Sequence, residues 1–285
     1  MEKRKIGFYP GCSLTGTAGE YNHSVSLVAK AFDVELAEVP DWNCCGATAA
    51  HNLNKTLSLS LPARILANAE HAGMNEVLVP CAACSSRLLV TQHELKEDPK
   101  LKAEIEEIIG KKFENNISII NVIQFIQRYV LPNLEGKIVK PFTQKSACYY
   151  GCLLVRPHKI VKFDRVEDPQ TMDEVMKAIG SESVDFPFKT ECCGAGLSVS
   201  RTELVGKLSG KIVKEASERG AQVVIVACPM CHANLDMRRS VINKAVGFQL
   251  DTPVLYITQA IALAVGISEK ELGLNKHFVP FKSSN

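Results

Sequence analysis

Residues 76–84 read Glu76-Val77-Leu78-Val79-Pro80-Cys81-Ala82-Ala83-Cys84, a short apolar run that ends in a Cys-x-x-Cys motif. An apolar run of this length predicts a buried β-strand. Residues 223–231 repeat the arrangement as Val223-Val224-Ile225-Val226-Ala227-Cys228-Pro229-Met230-Cys231. Both stretches therefore predict a strand that delivers two cysteines at its carboxyl end.

Three further cysteines precede each of these motifs at similar distances. In the sequence, 31 residues separate Cys12 from the adjacent pair Cys44-Cys45, and 39 residues separate Cys152 from Cys192-Cys193. Ten of the 11 cysteines thus form two sets of five. The first cysteine set is Cys12, Cys44, Cys45, Cys81 and Cys84, and the second cysteine set is Cys152, Cys192, Cys193, Cys228 and Cys231.

The similarity of the two parts of the chain extends beyond the cysteines. Cys-Cys-Gly-Ala occurs in both, and residues 69–73 have the same offset before Cys81 as the similar residues 216–220 have before Cys228. Duplication of one unit explains this similarity, and 285 residues suit two domains of ordinary size. We predict domains at 1–136 and 137–285, joined near residues 132–141, where Pro, Asn, Gly and Lys residues occur.

Short apolar runs alternate with helix-like stretches along the chain. This alternation predicts an α/β fold in which each domain has a small, mostly parallel sheet flanked by helices. Ligands of such sheets collect outside the carboxyl ends of the strands. The prediction therefore gathers along this edge the cysteines that follow strands, with the first of them in a loop: Cys12, Cys81, Cys152 and Cys228.

The helix-like stretches predict how the remaining cysteines are held. Cys84 and Cys231 are expected near the first turn of the helix that follows each strand, where free backbone N–H groups favour an anionic centre. Residues 88–109 are predicted to be broadly helical, with a charged face toward solvent. The glycines of the Cys-Cys-Gly motifs, Gly46 and Gly194, are expected to make tight turns beside the cysteines.

The composition excludes several function classes. The chain has 33 basic and 31 acidic residues, a net charge of +2, which is not the footprint of a nucleic-acid-binding protein. No stretch approaches the roughly 18 consecutive apolar residues of a membrane span, and the apolar residues near Met1 are too few for a signal peptide. We expect a cytoplasmic protein, where clustered cysteines indicate metal or redox chemistry rather than structural disulfides.

Five thiolates are more than one zinc ion takes, because a structural zinc site has four ligands. Several irons bridged by sulfide can accept five thiolate ligands. The side chains of adjacent cysteines point in diverging directions, which suits two neighbouring irons. Iron–sulfur clusters are held by cysteine thiolates, although an ordinary cubane cluster uses four. The two sets therefore predict two metal centres, and five ligands indicate an unusual cluster geometry.

The second part of the chain contains Tyr149-Tyr150-Gly151-Cys152-Leu153-Leu154-Val155-Arg156-Pro157. This stretch and the two complete five-cysteine patterns resemble the B subunit of heterodisulfide reductase, which consists of two cysteine-rich, CCG-type domains. The resemblance covers nearly the whole chain. It implies that each cysteine set binds one noncubane [4Fe-4S] cluster and that all ten cysteines belong to the catalytic site.

The resemblance also implies a reaction and partners. The family reduces a disulfide, in methanogens the coenzyme M–coenzyme B heterodisulfide, with the disulfide expected between the two clusters. Its electrons come from a small ferredoxin-like iron–sulfur C subunit and a flavin-containing A subunit, sometimes with a hydrogenase or formate dehydrogenase in electron bifurcation. Three alternatives stay open: an iron–sulfur component of lactate or glycolate oxidation, a sulfur-oxidising relative, and a zinc- or cluster-stabilised electron-relay subunit without catalysis.

Several residues near the cysteines have two interpretations. Cys148 is expected to be a small buried hydrophobe rather than a ligand, His232 to pack at a helix start, and Trp42 to pack in the ordinary way. Four basic residues are candidates either for an anionic substrate or for tuning a cluster, with a solvated surface role at least equally expected: Arg87, Arg156, His158 and Arg201.

Overall fold

The computed structural model describes residues 4–47 and 50–282, without the side chain of residue 51. Within these ranges, seven short strands alternate with helices along the chain. The strands are β1 (Arg4–Phe8), β2 (Val34–Glu38), β3 (Glu76–Leu78), β4 (Ser118–Ile120), β5 (Ser146–Tyr149), β6 (Val223–Val226) and β7 (Val254–Tyr256).

The strands form two separate parallel sheets. The first sheet has the order β2-β1-β3-β4, and the second has the order β5-β6-β7. The register pairs Phe8 with Leu78 in the first sheet and Tyr149 with Val226 in the second. The predicted α/β class, with two small parallel sheets flanked by helices, is confirmed.

The helices connect the strands and cover the sheets. They are α1 (Gly11–Thr15), α2 (Gly19–Ala31), α3 (Ala50–Leu53), α4 (Lys55–His71), α5 (Ala82–Glu97), α6 (Pro99–Ile109), α7 (Val122–Phe125), α8 (His158–Val161), α9 (Thr171–Ala178), α10 (Thr202–Glu218), α11 (Pro229–His232), α12 (Arg239–Val246) and α13 (Ile257–Ala264). Helices α7 and α11 continue into π-helical turns at Ile126–Val130 and Ala233–Met237. No helix among the described residues is long and apolar enough to span a membrane.

Residues 88–109 are broadly helical as predicted, with a break at Asp98 between α5 and α6. Pro99 keeps Asp98 out of the helical region, and the Asp98 carboxylate caps α6 by accepting from Lys100 N and Leu101 N, each at 3.0 Å. The prediction for Cys12 was wrong. Cys12 lies in the short helix α1 rather than in a loop, because Gly11 adopts a φ of +66° and turns the chain into a helix directly after β1.

The first half of the structure ends at residue 136, and the second half begins at residue 137. The two halves share one continuous buried core. The ring of Tyr21 in α2 stacks on the ring of Tyr256, with centroids 4.0 Å apart and an interplanar angle of 4°. Beside this pair, the hydroxyls of Ser24 and Thr258 lie 2.7 Å apart in a buried hydrogen bond. The two halves are therefore joined by a well-packed, hydrogen-bonded interface between α2 and α13.

Candidate metal centres

The first cysteine set converges from three segments of the first half. Cys12 lies in α1, the adjacent pair follows β2, and Cys81 caps α5, whose first turn holds Cys84. The sulfurs of Cys12 and Cys44 lie 3.7 Å apart, and those of Cys45 and Cys84 lie 3.2 Å apart. The thiols of Cys81 and Cys84 also interact. All five predicted residues are thus brought together.

The second cysteine set has the same arrangement in the second half. The sulfurs of Cys193 and Cys231 lie 3.7 Å apart. The thiols of Cys152 and Cys192 interact, as those of Cys12 and Cys44 do in the first set. Cys228 completes the set by its contact with Cys231. The predicted duplication therefore extends to the geometry of the sulfurs.

The two sets touch each other at their buried ends. The thiols of Cys81 and Cys228 interact, although one belongs to each half. The Tyr21 hydroxyl lies beside them and contacts the carbonyl oxygens of Pro80 and Ala227 at 3.3 and 3.4 Å. These are the residues directly before Cys81 and Cys228. One tyrosine of the first half therefore fixes the approach of both strand ends.

Burial divides each set in the same way. Three cysteines of each set are buried, whereas the first cysteine of each set and the first of each Cys-Cys pair are more accessible. The buried ones are Cys45, Cys81, Cys84, Cys193, Cys228 and Cys231, and the more accessible ones are Cys12, Cys44, Cys152 and Cys192. A metal centre at either set would have one covered side and one side near solvent.

The thiols of each set differ in acidity without a metal. Hydrogen bonds from Cys44 and Cys84 lower the pKa of Cys45 to about 4, and a hydrogen bond from Cys152 lowers the pKa of Cys192 to about 6. The pKa values of Cys44 and Cys84 are raised, first of all because each donates to the thiolate of Cys45. Ionising every thiol of a set therefore requires added positive charge, which a bound metal supplies.

Backbone groups reinforce this donor set. The amide of Gly46 donates to the Cys44 sulfur at 3.4 Å, and the amide of Gly194 donates to the Cys192 sulfur at 3.3 Å. Both glycines have positive φ, +73° and +82°, so the tight turns predicted there are confirmed. All-sulfur donor sets with N–H···S hydrogen bonds fit soft metals and iron–sulfur clusters.

Two further glycines, which were not among the predicted residues, also shape the sites. A Cβ on Gly11 would lie 3.3 Å from the Cys84 sulfur, and a Cβ on Gly151 would lie 2.9 Å from the Cys231 sulfur. Both have positive φ, +66° and +70°. The signal was present in the sequence, because a glycine directly precedes the first cysteine of both sets.

A cavity of about 240 Å³ lies between the halves. All five residues of the second cysteine set line it. The first half contributes Ala47, Ala82, Ala83 and Arg87, which are neighbours of the first cysteine set in sequence. The cavity therefore opens directly onto the second set and only borders the first.

The structure also places the other predicted residues. Cys148 is buried in β5, 4.0 Å from the Ser183 hydroxyl, and lies outside both sets, which confirms it as a buried strand residue. Arg156 forms an ion pair with Glu167 near the surface, in which its Nη2 donates to both carboxylate oxygens, each at 2.9 Å. His158 and Arg201 are exposed.

Trp42 packs as predicted, next to the first cysteine set. Its ring meets the ring of Tyr9 edge-on, with centroids 5.6 Å apart. Its indole N–H donates to a carboxylate oxygen of Glu38 at 2.6 Å. These two contacts fix the loop that leads from β2 to the Cys-Cys pair.

His232 packs as predicted, in a buried polar network beside Cys231. Its ring stacks on Tyr256 with centroids 4.3 Å apart, and its Nε2 lies 3.2 Å from the carbonyl oxygen of Val254. His277 contacts the same carbonyl through Nδ1 at 2.9 Å. The Asp236 carboxylate accepts from the backbone amides of residues 278 and 279. Protein groups thus bind all three side chains, and the network holds the C-terminal segment against the second half.

The arrangement of the cysteines matches a known protein family. The family model described as "Cysteine-rich domain", CCG, matches residues 6–88 and 146–236, which together hold all ten clustered cysteines and more than half of the chain. The chain belongs to the CCG cysteine-rich domain family. One of its two CCG matches lies in each of the halves described above.

Relatives of this CCG protein have different names. It is 29% identical over 282 residues to the B subunit of the ferredoxin/F420H2-dependent CoB-CoM heterodisulfide reductase of Methanosarcina acetivorans, covering 96% of this chain and 94% of that one. It is also 29% identical over 281 residues to the 8-methylmenaquinol:fumarate reductase membrane anchor subunit of Wolinella succinogenes, covering 97% and 98%. The predicted similarity to heterodisulfide reductase B subunits is confirmed over nearly the full length.

A third relative and one solved structure extend the comparison. Lactate utilization protein A of Halalkalibacterium halodurans is 24% identical over 222 residues, which cover 76% of this chain and 81% of that protein. A crystal structure of a hypothetical protein from Helicobacter pylori superposes with a TM-score of 0.77 at 14% identity, covering 98% of this chain and 52% of the other. The solved structure supports the fold of the CCG protein.

Proposed function

We propose that each cysteine set binds one noncubane [4Fe-4S] cluster. The observation that carries this proposal is the convergence of five sulfurs twice in one chain, each set with three buried and two accessible members. The first cluster would be held by Cys12, Cys44, Cys45, Cys81 and Cys84, and the second by Cys152, Cys192, Cys193, Cys228 and Cys231. We also propose that residues 1–136 and 137–285 are the two cluster-binding domains.

We propose that the CCG protein is the catalytic subunit of a heterodisulfide reductase and reduces a disulfide at these sites. One disulfide, two electrons and two protons give two thiols, so the S–S bond breaks and each sulfur gains one electron and one proton. The bound clusters would supply single electrons and iron atoms that accept the sulfurs. Because each cluster would supply one electron at a time, two adjacent centres suit a two-electron reaction.

The chain's own groups position and shield this reaction. The buried ends of the two sets touch through Cys81 and Cys228, and this keeps the two centres next to each other. The lining of the cavity is largely apolar, with Tyr150, Leu153 and Met230 among its residues, and this limits contact with water in front of the second set. Electrostatic interactions are stronger in such a low-dielectric space.

We propose that electrons reach this subunit from a ferredoxin-like iron–sulfur subunit of the C type and a flavin-containing subunit of the A type. The similarity to the B subunit of a heterodisulfide reductase over 96% of the chain supports this proposal. A hydrogenase or formate dehydrogenase could feed the same complex. The disulfide would be the coenzyme M–coenzyme B heterodisulfide or a related compound.

A second function is favoured by two relatives. The similarity to a fumarate reductase subunit, over 97% of the chain, and to lactate utilization protein A suits a subunit that passes electrons without touching a disulfide. In this alternative the cavity at the second set would have no substrate. The two functions differ in one observable property, because only the catalytic subunit responds to thiols and disulfides.

An assay with a one-electron donor tests the proposed reaction. The iron-loaded protein, prepared without oxygen, is mixed with reduced methyl viologen and 3,3′-dithiodipropionate. We expect two dye molecules to be oxidised for each disulfide and two thiols to form, and metal-free protein to give only the background rate. Dye oxidation that does not depend on the disulfide would favour the electron-relay alternative.

A further inference from the structure

The cavity between the halves has a distinct chemical character. Its lining consists of the five sulfurs of the second set and of apolar or small residues, with one exception among the residues that the structure describes. The exception is Arg87, the one charged side chain in this lining. Within the described part of the chain, no hydrogen bond or ion pair involves its guanidinium group.

The position of Arg87 follows from the helix that carries it. Arg87 lies three residues after Cys84 in α5, so the two side chains share one helix face. The half-buried Arg87 side chain reaches the cavity in front of the second set. Arg87 therefore lies between the two proposed centres.

We propose that Arg87 binds an acidic group on the substrate that enters this cavity. This inference rests on the proposed function, because it states which chemical group the shorter arm of the disulfide substrate carries. A guanidinium group offers paired N–H donors that match a carboxylate, sulfonate or phosphate group. A cation in an apolar cavity attracts such a group more strongly than a cation in water.

The size of the cavity limits the substrate arm. The five cysteines of the second set line this volume of about 240 Å³, so a cluster bound to them would occupy part of it. The remaining space suits only one short arm of a disulfide, with its sulfur at the second centre and its acidic end at Arg87. The other arm would extend toward solvent. Arg87 would then be a specificity-determining residue rather than a source of protons or electrons.

Two thiols of equal length test this inference. Iron-loaded protein is titrated under oxidising conditions with 3-mercaptopropionate and with 3-mercaptopropan-1-ol, and binding is followed by electron paramagnetic resonance. We expect the wild type to bind the acid about tenfold or more tightly than the alcohol, because hydrogen bonds between charged groups are strong. Arg87→Gln should remove this preference, and Arg87→Lys should retain part of it.

The controls separate substrate binding from effects on the metal centres. Arg87→Gln should keep the iron content of the wild type, and Arg87→Lys, which retains the charge, should also keep its midpoint potentials. Arg201→Gln, which removes an exposed charge outside the cavity, should keep the full preference for the acid. A variant Arg87→Gln that still prefers the acid as strongly as the wild type, or that shifts the potentials while the preference remains, would overturn the inference.

The titration also distinguishes this inference from the proposed function. If the wild type responds to both thiols with equal affinity, disulfide chemistry stands and the role of Arg87 is refuted. If the wild type responds to neither thiol, the proposed function is refuted and the inference falls with it.

Discussion

The two halves of the chain keep the same cysteine geometry on different scaffolds. In the first half, β1 pairs with β2 on one side and with β3 on the other. In the second half, β5 lies at the edge of its sheet. Where the first half has the strand β2, the described part of the second half has a single β-bridge, between Ser146 and Ser183. The position of the sulfurs therefore depends on the central strand ends and the glycine turns, not on the outer strand.

The halves also differ in what faces the cavity. The second set lines it with all five cysteines, and the first half supplies small residues and Arg87. In the proposed function, the second centre would therefore face the substrate directly, and the first would border the same cavity. The first two of the following comparisons concern equivalent positions in the two halves, and the third concerns the contact between them.

The largest effects are expected at Cys193 and its equivalent Cys45. Cys193→Ala should abolish disulfide reduction, remove about half of the iron and leave the spectrum of the first centre, because one buried ligand is lost. Cys45→Ala should remove the spectrum of the other centre. Iron analysis and electron paramagnetic resonance measure both changes.

The matched control for these variants is Cys148→Ala, which removes a buried thiol outside both sets. It should retain the full iron content and cost only the free energy of a small cavity, about 1 kcal/mol. Full disulfide reduction by Cys193→Ala would contradict the need for both centres.

A smaller difference is expected between the glycines that precede each set. Gly151→Ala brings a Cβ to 2.9 Å from the Cys231 sulfur, whereas Gly11→Ala leaves 3.3 Å to the Cys84 sulfur. Iron loss should therefore be greater at the second set than at the first. Iron content after identical reconstitution of both variants checks this order.

Gly220→Ala serves as the control for backbone strain. Its φ is +82° and an added Cβ would meet nothing within 4 Å. It should be less stable by about 1–2 kcal/mol, the cost of a left-handed residue with a side chain, and should retain its iron. Equal iron loss in all three variants would show that strain, not contact with sulfur, limits these positions.

The smallest effect is expected at the contact between the halves. Tyr21→Phe removes a hydroxyl that contacts the carbonyls of Pro80 and Ala227 but keeps the stacking on Tyr256. The loss should be about 1 kcal/mol, or about 2 °C in the melting temperature, with a several-fold lower rate of disulfide reduction. Thermal unfolding and the viologen assay measure these effects.

Tyr129→Phe separates stability from function. The Tyr129 hydroxyl bonds Glu76 within the first half, so its loss should lower stability without changing the rate. Equal rates for both tyrosine variants would refute the role of Tyr21 in setting the position of the two centres.

The sequence predicted the features that depend on local order. Parallel strands end at one edge, so the placement of Cys81 and Cys228 followed from the apolar runs before them. The break at Asp98-Pro99 was also local and was missed because the charged periodicity continued across it. The glycines at 11 and 151 had a readable signal in their repeated position.

Other features could not be predicted because they depend on packing between the halves. The contact of Cys81 with Cys228 requires α2 and α13 to meet, and nothing in the spacing of the cysteines specifies that meeting. The unequal exposure of the two sets to the cavity has the same origin. Arg87 was one of four basic candidates, and only the packed structure places it in the cavity lining.

The most direct test of the account is the iron, sulfide and zinc content of protein prepared without oxygen, with electron paramagnetic resonance before and after a thiol is added under oxidising conditions. Two four-iron clusters require about eight irons per chain, and we expect this value with a new thiol-dependent signal. About four irons with one zinc, or a signal that does not change with thiol, would contradict the proposed pair of catalytic centres.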